Sequence, residues 1–156
     1  SGGNTASAVP TVTAAQAGKG FLEPGSVGVG GVVPYRARPQ ADADFKAKAR
    51  LLYQEGKFRD AADAYQHASQ RNPSDAAAHA GAGACWLAVG DADRAIAAYQ
   101  RAVQLRPDVS GFQAALGRAY LTKGDKARAL GAYNRALELD PGNEAARNGA
   151  AALKTK

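Results

Sequence analysis

The chain has 156 residues, 46% of them hydrophobic and 22% charged, with a net charge of +6, which allows one domain with a modest core. Beyond residue 40 the charges interleave, 17 basic against 13 acidic, so the mild basicity is a mixed surface and not the stripe a nucleic acid requires. A single cysteine, Cys85, excludes an intrachain disulfide, and no run of about 18 apolar residues exists to cross a bilayer as a helix.

Residues 1–40 differ in composition from the rest. They hold 8 of the 18 glycines and 4 of the 7 prolines, with Glu23 as the one acid. Ser1 to Ser7 is tether-like, with little apolar content to drive folding. From Phe21 the character changes: Phe21, Leu22, Val27, Val29, Val32, Val33 and Tyr35 supply hydrophobic side chains amid glycine. These are candidate tail contacts, extended against a groove or added to a partner's strand; the competing reading is a disordered linker. The Gly28-Val29-Gly30-Gly31 run lacks the strand-loop-helix context and following Lys-Ser/Thr of a phosphate loop, so it reads as flexible chain.

Residues 41–156 are organised by a period. Prolines 73, 107 and 141 stand 34 residues apart, as do glycines 56, 90 and 124, alanines 61, 95 and 129, tyrosines 65, 99 and 133, and alanines 68, 102 and 136. The small residues Ala49, Gly83 and Gly117 and the large ones Leu52, Trp86 and Tyr120 keep the same register. Such a period predicts stacked helix pairs that bury their apolar faces only against neighbours. In the middle copy, Ala82, Gly83 and Trp86 share one face of a first helix, which ends at Gly90, where glycine accepts a left-handed conformation. Ala95, Tyr99 and Ala102 form the inner stripe of a second helix, closed by Pro107. Ser74 or Asp75, Asp108 and Asn143 are the expected caps of the helices that follow the prolines. Ala49, Gly83 and Gly117 are expected to let paired helices approach so that Leu52, Trp86 and Tyr120 fill the gap.

These residues resemble the tetratricopeptide repeat, with copies at 42–75, 76–109 and 110–143 and a polar-faced capping helix at 144–153. The resemblance implies an all-α fold, a right-handed α-solenoid of three helix-turn-helix repeats behind an irregular tail. Departures are Lys48 at an apolar position, and His79 and Gln113 where large hydrophobic residues are usual. The resemblance also implies a concave groove lined by the first helix of each repeat, which is where partners of such proteins bind. Lys46, Arg50, Tyr53 and Gln54 are the candidate lining residues of the first copy, with Ala43. Ala77, Ala80, Ala84, Leu87 and Ala88 follow in the second, and Gly111, Ala114, Arg118, Leu121 and Thr122 in the third. An alanine floor admits a close backbone, and Lys46, Arg50 and Arg118 at its flanks suit carboxylates. A chaperone-type grip on a C-terminal carboxylate is disfavoured, because Lys46 alone matches it among Lys46, Arg50, Gly81, Gly111 and Ala115.

Catalysis has thin support. His67 and His79 fall in different helices, no Ser-His-Asp or Cys-His spacing emerges, His79 reads as a packing substitution, and Cys85 reads as a small buried hydrophobe. No grouped ligands suggest a metal, and no cofactor or small-molecule substrate is expected. The expectation is therefore a non-catalytic adaptor whose partner is another protein. Ser-Gly-Gly-Asn at the start resembles a mature lipoprotein just after its lipidated cysteine. That points to the periplasmic face of a bacterial outer membrane and to assembly of a pilus or secretion machine, in the manner of secretin pilotins such as those of Tad-type pili. The alternatives are a soluble cytoplasmic scaffold and an accessory domain of a larger protein.

Overall fold

The structure, a computed structural model, describes residues 39–155, with side chains from residue 43 onward. The tail contacts expected at Phe21, Leu22, Val27, Val29, Val32, Val33 and Tyr35 lie outside the described residues, as does the glycine run at 28–31. Within the described residues seven helices follow in chain order: α1 Pro39–Gln54, α2 Phe58–Arg71, α3 Ala76–Ala88, α4 Ala92–Leu105, α5 Ser110–Lys123, α6 Lys126–Leu139 and α7 Glu144–Lys154. Each packs on the helices before and after it, and no strand occurs among the described residues. The result is an all-α solenoid of three pairs closed by α7.

Turn chemistry sets the pairs. Gly56, Gly90 and Gly124 have φ of 80°, 84° and 93°, a left-handed conformation that costs residues with a Cβ. The residue after each glycine donates its N–H back across the turn: Lys57 to the Leu52 carbonyl, Asp91 to Trp86 and Asp125 to Tyr120, at 2.8–2.9 Å. That six-to-one bond satisfies carbonyls the helix end would otherwise orphan. Asp75, Asp91, Asp125 and Asn143 then cap α3, α4, α6 and α7, their side chains accepting from the N–H of Ala78, Arg94, Arg128 and Ala146 at 3.0–3.1 Å.

Asp108 does not cap. Val109 is the N-cap of α5 and makes no side-chain hydrogen bond, so Asp108 stands one residue too early and instead accepts from the Arg106 guanidinium at 2.9 and 3.0 Å. His79 also departs from expectation. Half-buried, it places Nε2 3.1 Å from the Pro73 carbonyl oxygen, so a backbone hydrogen bond, as well as packing, holds it at the junction. The capping helix runs to Lys154, one residue beyond the expected end; Ala146 and Ala150 face inward while Arg147 and Asn148 face out.

The core is built of alanine and a few large rings. Ala61, Ala95 and Ala129 are fully buried, as are Ala102 and Ala136, and Tyr99, Tyr120, Tyr133 and Trp86 fill the space between helices. The side chain that uses the small residues of the first helices is the tyrosine of a second helix, not Leu52, Trp86 or Tyr120. A Cβ on Gly83 would lie 3.0 Å from the Tyr99 ring, and one on Gly117 would lie 2.7 Å from the Tyr133 ring. A second row works across repeats: a Cβ on Gly81 would overlap the Tyr65 ring, and one on Gly149 the Tyr133 ring. Tyr133 is thus clasped between α5 and α7 by two glycines, and it is 1% exposed.

Two pairs of substitutions test these assignments by chemical denaturation. Asp91→Ala removes a cap and should cost about 1 kcal/mol, whereas Asp108→Ala, which caps nothing, should leave the midpoint within error. Gly117→Ala inserts a methyl group against a ring that α7 prevents from retreating, and should destabilise by about 1–3 kcal/mol. Gly131→Ala, in α6, adds a methyl group that meets nothing within 4 Å, and should stabilise by about 0.5–1 kcal/mol.

Candidate protein-binding groove

The inner wall follows from which helices meet. α3 touches α5 and α5 touches α7, whereas α2, α4 and α6 have no comparable contact with one another. From α3 onward the first helices therefore lie closer together than the second helices, and the stack curves toward them. The lining residues expected from the sequence can be placed on this wall.

On α1, Arg50, Tyr53 and Gln54 are exposed, and Tyr53 meets Phe58 edge-on with ring centroids 5.0 Å apart. On α3, Ala77 is exposed while Ala80, Ala84 and Leu87 are half-buried. On α5, Arg118 and Thr122 are exposed and Leu121 is half-buried; the Thr122 hydroxyl donates to the Arg118 carbonyl at 3.0 Å. Ala114, at 3% exposed, is core more than wall.

Lys46 stands apart. Its Nζ lies 2.6 Å from Asp75 Oδ2, and both groups are largely sheltered. Burial pushes the Asp75 carboxyl up, but the Lys46 hydrogen bond, the Ala78 N–H and the Lys46 charge outweigh it and hold the carboxyl below its ordinary value. Lys46 is thus a strut between α1 and the start of α3, its charge already answered. Arg50 and Arg118 have no carboxylate partner among the described residues, in contrast to Lys57, Arg94, Arg106, Lys123, Arg128 and Arg135.

Behind the alanines stands a row of phenols. Burial raises Tyr65, with the Arg50 charge opposing it. Burial pushes Tyr99 up to about 12, opposed by Arg118, and the same two influences act on Tyr133. No hydrogen-bond partner for these three hydroxyls occurs among the described residues. The tyrosines were legible as a 34-residue series but not as groove components. The signal was present in the matching series Gly81, Ala115 and Gly149, small residues that admit the rings.

On the other side, α2, α3 and α4 enclose a cleft of about 490 Å³, where the Arg94 guanidinium lies 4.6 Å over the Trp86 ring. Burial pushes the Cys85 thiol up to about 11, so the neutral thiol, a poor nucleophile, prevails at neutral pH. Among the described residues no three His, Cys, Asp or Glu side chains cluster as a metal ion requires, and no helix is long and apolar enough to cross a membrane.

Comparison with solved structures returns proteins of this fold. The first TPR of Spaghetti (RPAP3), bound to the HSP90 peptide SRMEEVD, is 21% identical, with a TM-score of 0.73 over 77% of this chain and 95% of that one. The Yersinia enterocolitica type III secretion chaperone SycD, in complex with a peptide of the translocator YopD, is 23% identical, with a TM-score of 0.72 over 78% and 98%. The second TPR domain of human RPAP3, in complex with the HSP70 peptide SGPTIEEVD, is 22% identical, with a TM-score of 0.72 over 75% and 98%. A search of curated protein sequences gave no match. The tetratricopeptide-repeat sequence profile matches residues 46–110, 87–144 and 114–153, together most of the chain. With the glycine turns, the tyrosine series and the stacked pairs, that match shows that the chain belongs to the tetratricopeptide-repeat family.

Proposed function

We propose that this protein is a non-catalytic adaptor that holds a segment of a partner polypeptide on the wall formed by α1, α3 and α5. The observation that carries this reading is the α3 surface: Ala77, Ala80 and Ala84 present methyl groups alone, flanked by the guanidiniums of Arg50 and Arg118, which have no carboxylate partner among the described residues. Methyl-only walls let a backbone approach closely, and guanidiniums fix carboxylates with paired hydrogen bonds. Peptide complexes of the similar folds, SycD with its YopD segment among them, support it.

The finer reading is a lipoprotein on the periplasmic face of a bacterial outer membrane that assists assembly of a pilus or secretion machine, as secretin pilotins do. Its support is the tether-like composition of residues 1–7. A cleavage site ending in cysteine directly before Ser1 in the coding sequence, with palmitate label on the native protein, is the expected result. A long folded domain upstream would replace this reading with a soluble cytoplasmic scaffold.

The groove is tested by charge. The partner is first identified by affinity capture from the native cells and mass spectrometry. Ala84→Glu should then weaken binding of the purified partner at least tenfold, with helicity and melting temperature nearly unchanged. Ala77→Glu, exposed in the first turn of α3 where an acid suits the helix dipole, is the second variant. Unaltered affinity in both moves the interface off this wall.

A further inference from the structure

We propose that the groove selects an extended segment bearing two carboxylates about six residues apart, one received by Arg50 and the other by Arg118. The proposal rests on the groove reading above and specifies the ligand. Arg50, Ala84 and Arg118 occupy one repeat position, 34 residues apart, so they stand at the same level on α1, α3 and α5. Neighbouring helices pack roughly 8–10 Å apart; α3 and α5 touch directly, and Lys46 of α1 reaches Asp75, the N-cap of α3. Two such steps separate the guanidinium-bearing helices by roughly 16–20 Å. An extended chain covers at most about 3.3–3.6 Å per residue, so a strand running straight across the wall takes about five to six residues from one arginine to the other.

The middle of that path suits small residues. Ala84 at the centre and Ala80 one turn before it leave the strand no side chain to climb over, and neither carries charge. Lys46 does not add a third cation, because Asp75 holds it at 2.6 Å. Both arginines are exposed and lack a carboxylate partner among the described residues, whereas Lys46, the third cation expected on the wall, is engaged.

The test uses the full chain and fluorescein-labelled peptides of alanine and serine carrying two glutamates, read by fluorescence anisotropy at low and moderate salt. The peptide with glutamates six residues apart should bind roughly tenfold more tightly than peptides with spacings of two or three. Raising salt should weaken it, since exposed charges are screened. Arg50→Ala and Arg118→Ala should each remove the spacing preference, while Arg147→Ala, exposed on α7, should leave it intact; melting temperatures confirm that all three variants fold. Spacing-independent binding, or equal binding of a peptide with lysines in place of the glutamates, overturns the proposal. The native partner separates this from the groove reading. If Ala84→Glu abolishes its capture but the double Arg50→Ala, Arg118→Ala variant does not, the groove stands and the two-carboxylate ligand falls. If neither Ala84→Glu nor Ala77→Glu has an effect, both fall.

Discussion

A tyrosine ring seated where glycine leaves no Cβ is the contact on which the stack depends. Tyr133 meets Gly117 within its own pair and Gly149 on the next helix, so one side chain sets the spacing inside a repeat and between repeats. Each glycine in a helix interior costs about 0.5–1 kcal/mol relative to alanine. Burying most of an aromatic ring outweighs that, because these side chains bring the largest apolar areas to a core. An alanine-rich core needs such rings: methyl groups alone cannot fill the space between helices. The geometry is also intolerant, since α5 and α7 hold the ring from both sides. A methyl group added there has no direction in which to push it.

The same contacts shape the surface available to a partner. Because the rings rise from the second helices behind the wall, the first three turns of α3 can present alanine there, at Ala77, Ala80 and Ala84. Burial moves the titratable groups beneath it away from nucleophilic chemistry. Tyr99 reaches about 12 and Cys85 about 11, so at neutral pH both stay protonated and inert. What the wall presents is small side chains and two exposed guanidiniums.

Much of this was legible in the sequence because the determinants are local and repeat. Gly56, Gly90 and Gly124 announce left-handed turns wherever they fall, and Ala95, Tyr99 and Ala102 mark a buried stripe by spacing alone. Less legible was anything set by which helix faces which. Asp91 and Asp125 cap helices after glycine turns, away from the proline junctions where caps were expected, while Asp108 looked like a cap and is displaced by one residue. Leu52, Trp86 and Tyr120 looked like the residues that fill the gap over the small positions, because they follow them in the same helix; the rings that do so come from the next one. Lys46 and Arg50 looked alike as groove cations, since their difference lies in Asp75, 29 residues beyond Lys46 and on another helix.

That difference follows a pattern within the chain. The position of Lys46 recurs as Ala80 and Ala114, and the position of Asp75 recurs as Val109 and Asn143. Where the first site is charged, its counterpart is charged; where it is alanine, the counterpart is neutral, and Asn143 turns instead to the Ser110 hydroxyl at 3.1 Å. The reason is burial. An ammonium partly removed from water needs a partner, and a carboxylate that already caps α3 supplies one without a second acid. No such demand acts on Arg50 and Arg118, whose exposed guanidiniums water satisfies. The fold thus neutralises the cation it shelters on this wall and leaves exposed the two it presents there, so the charge pattern of the wall is set by where helices pack.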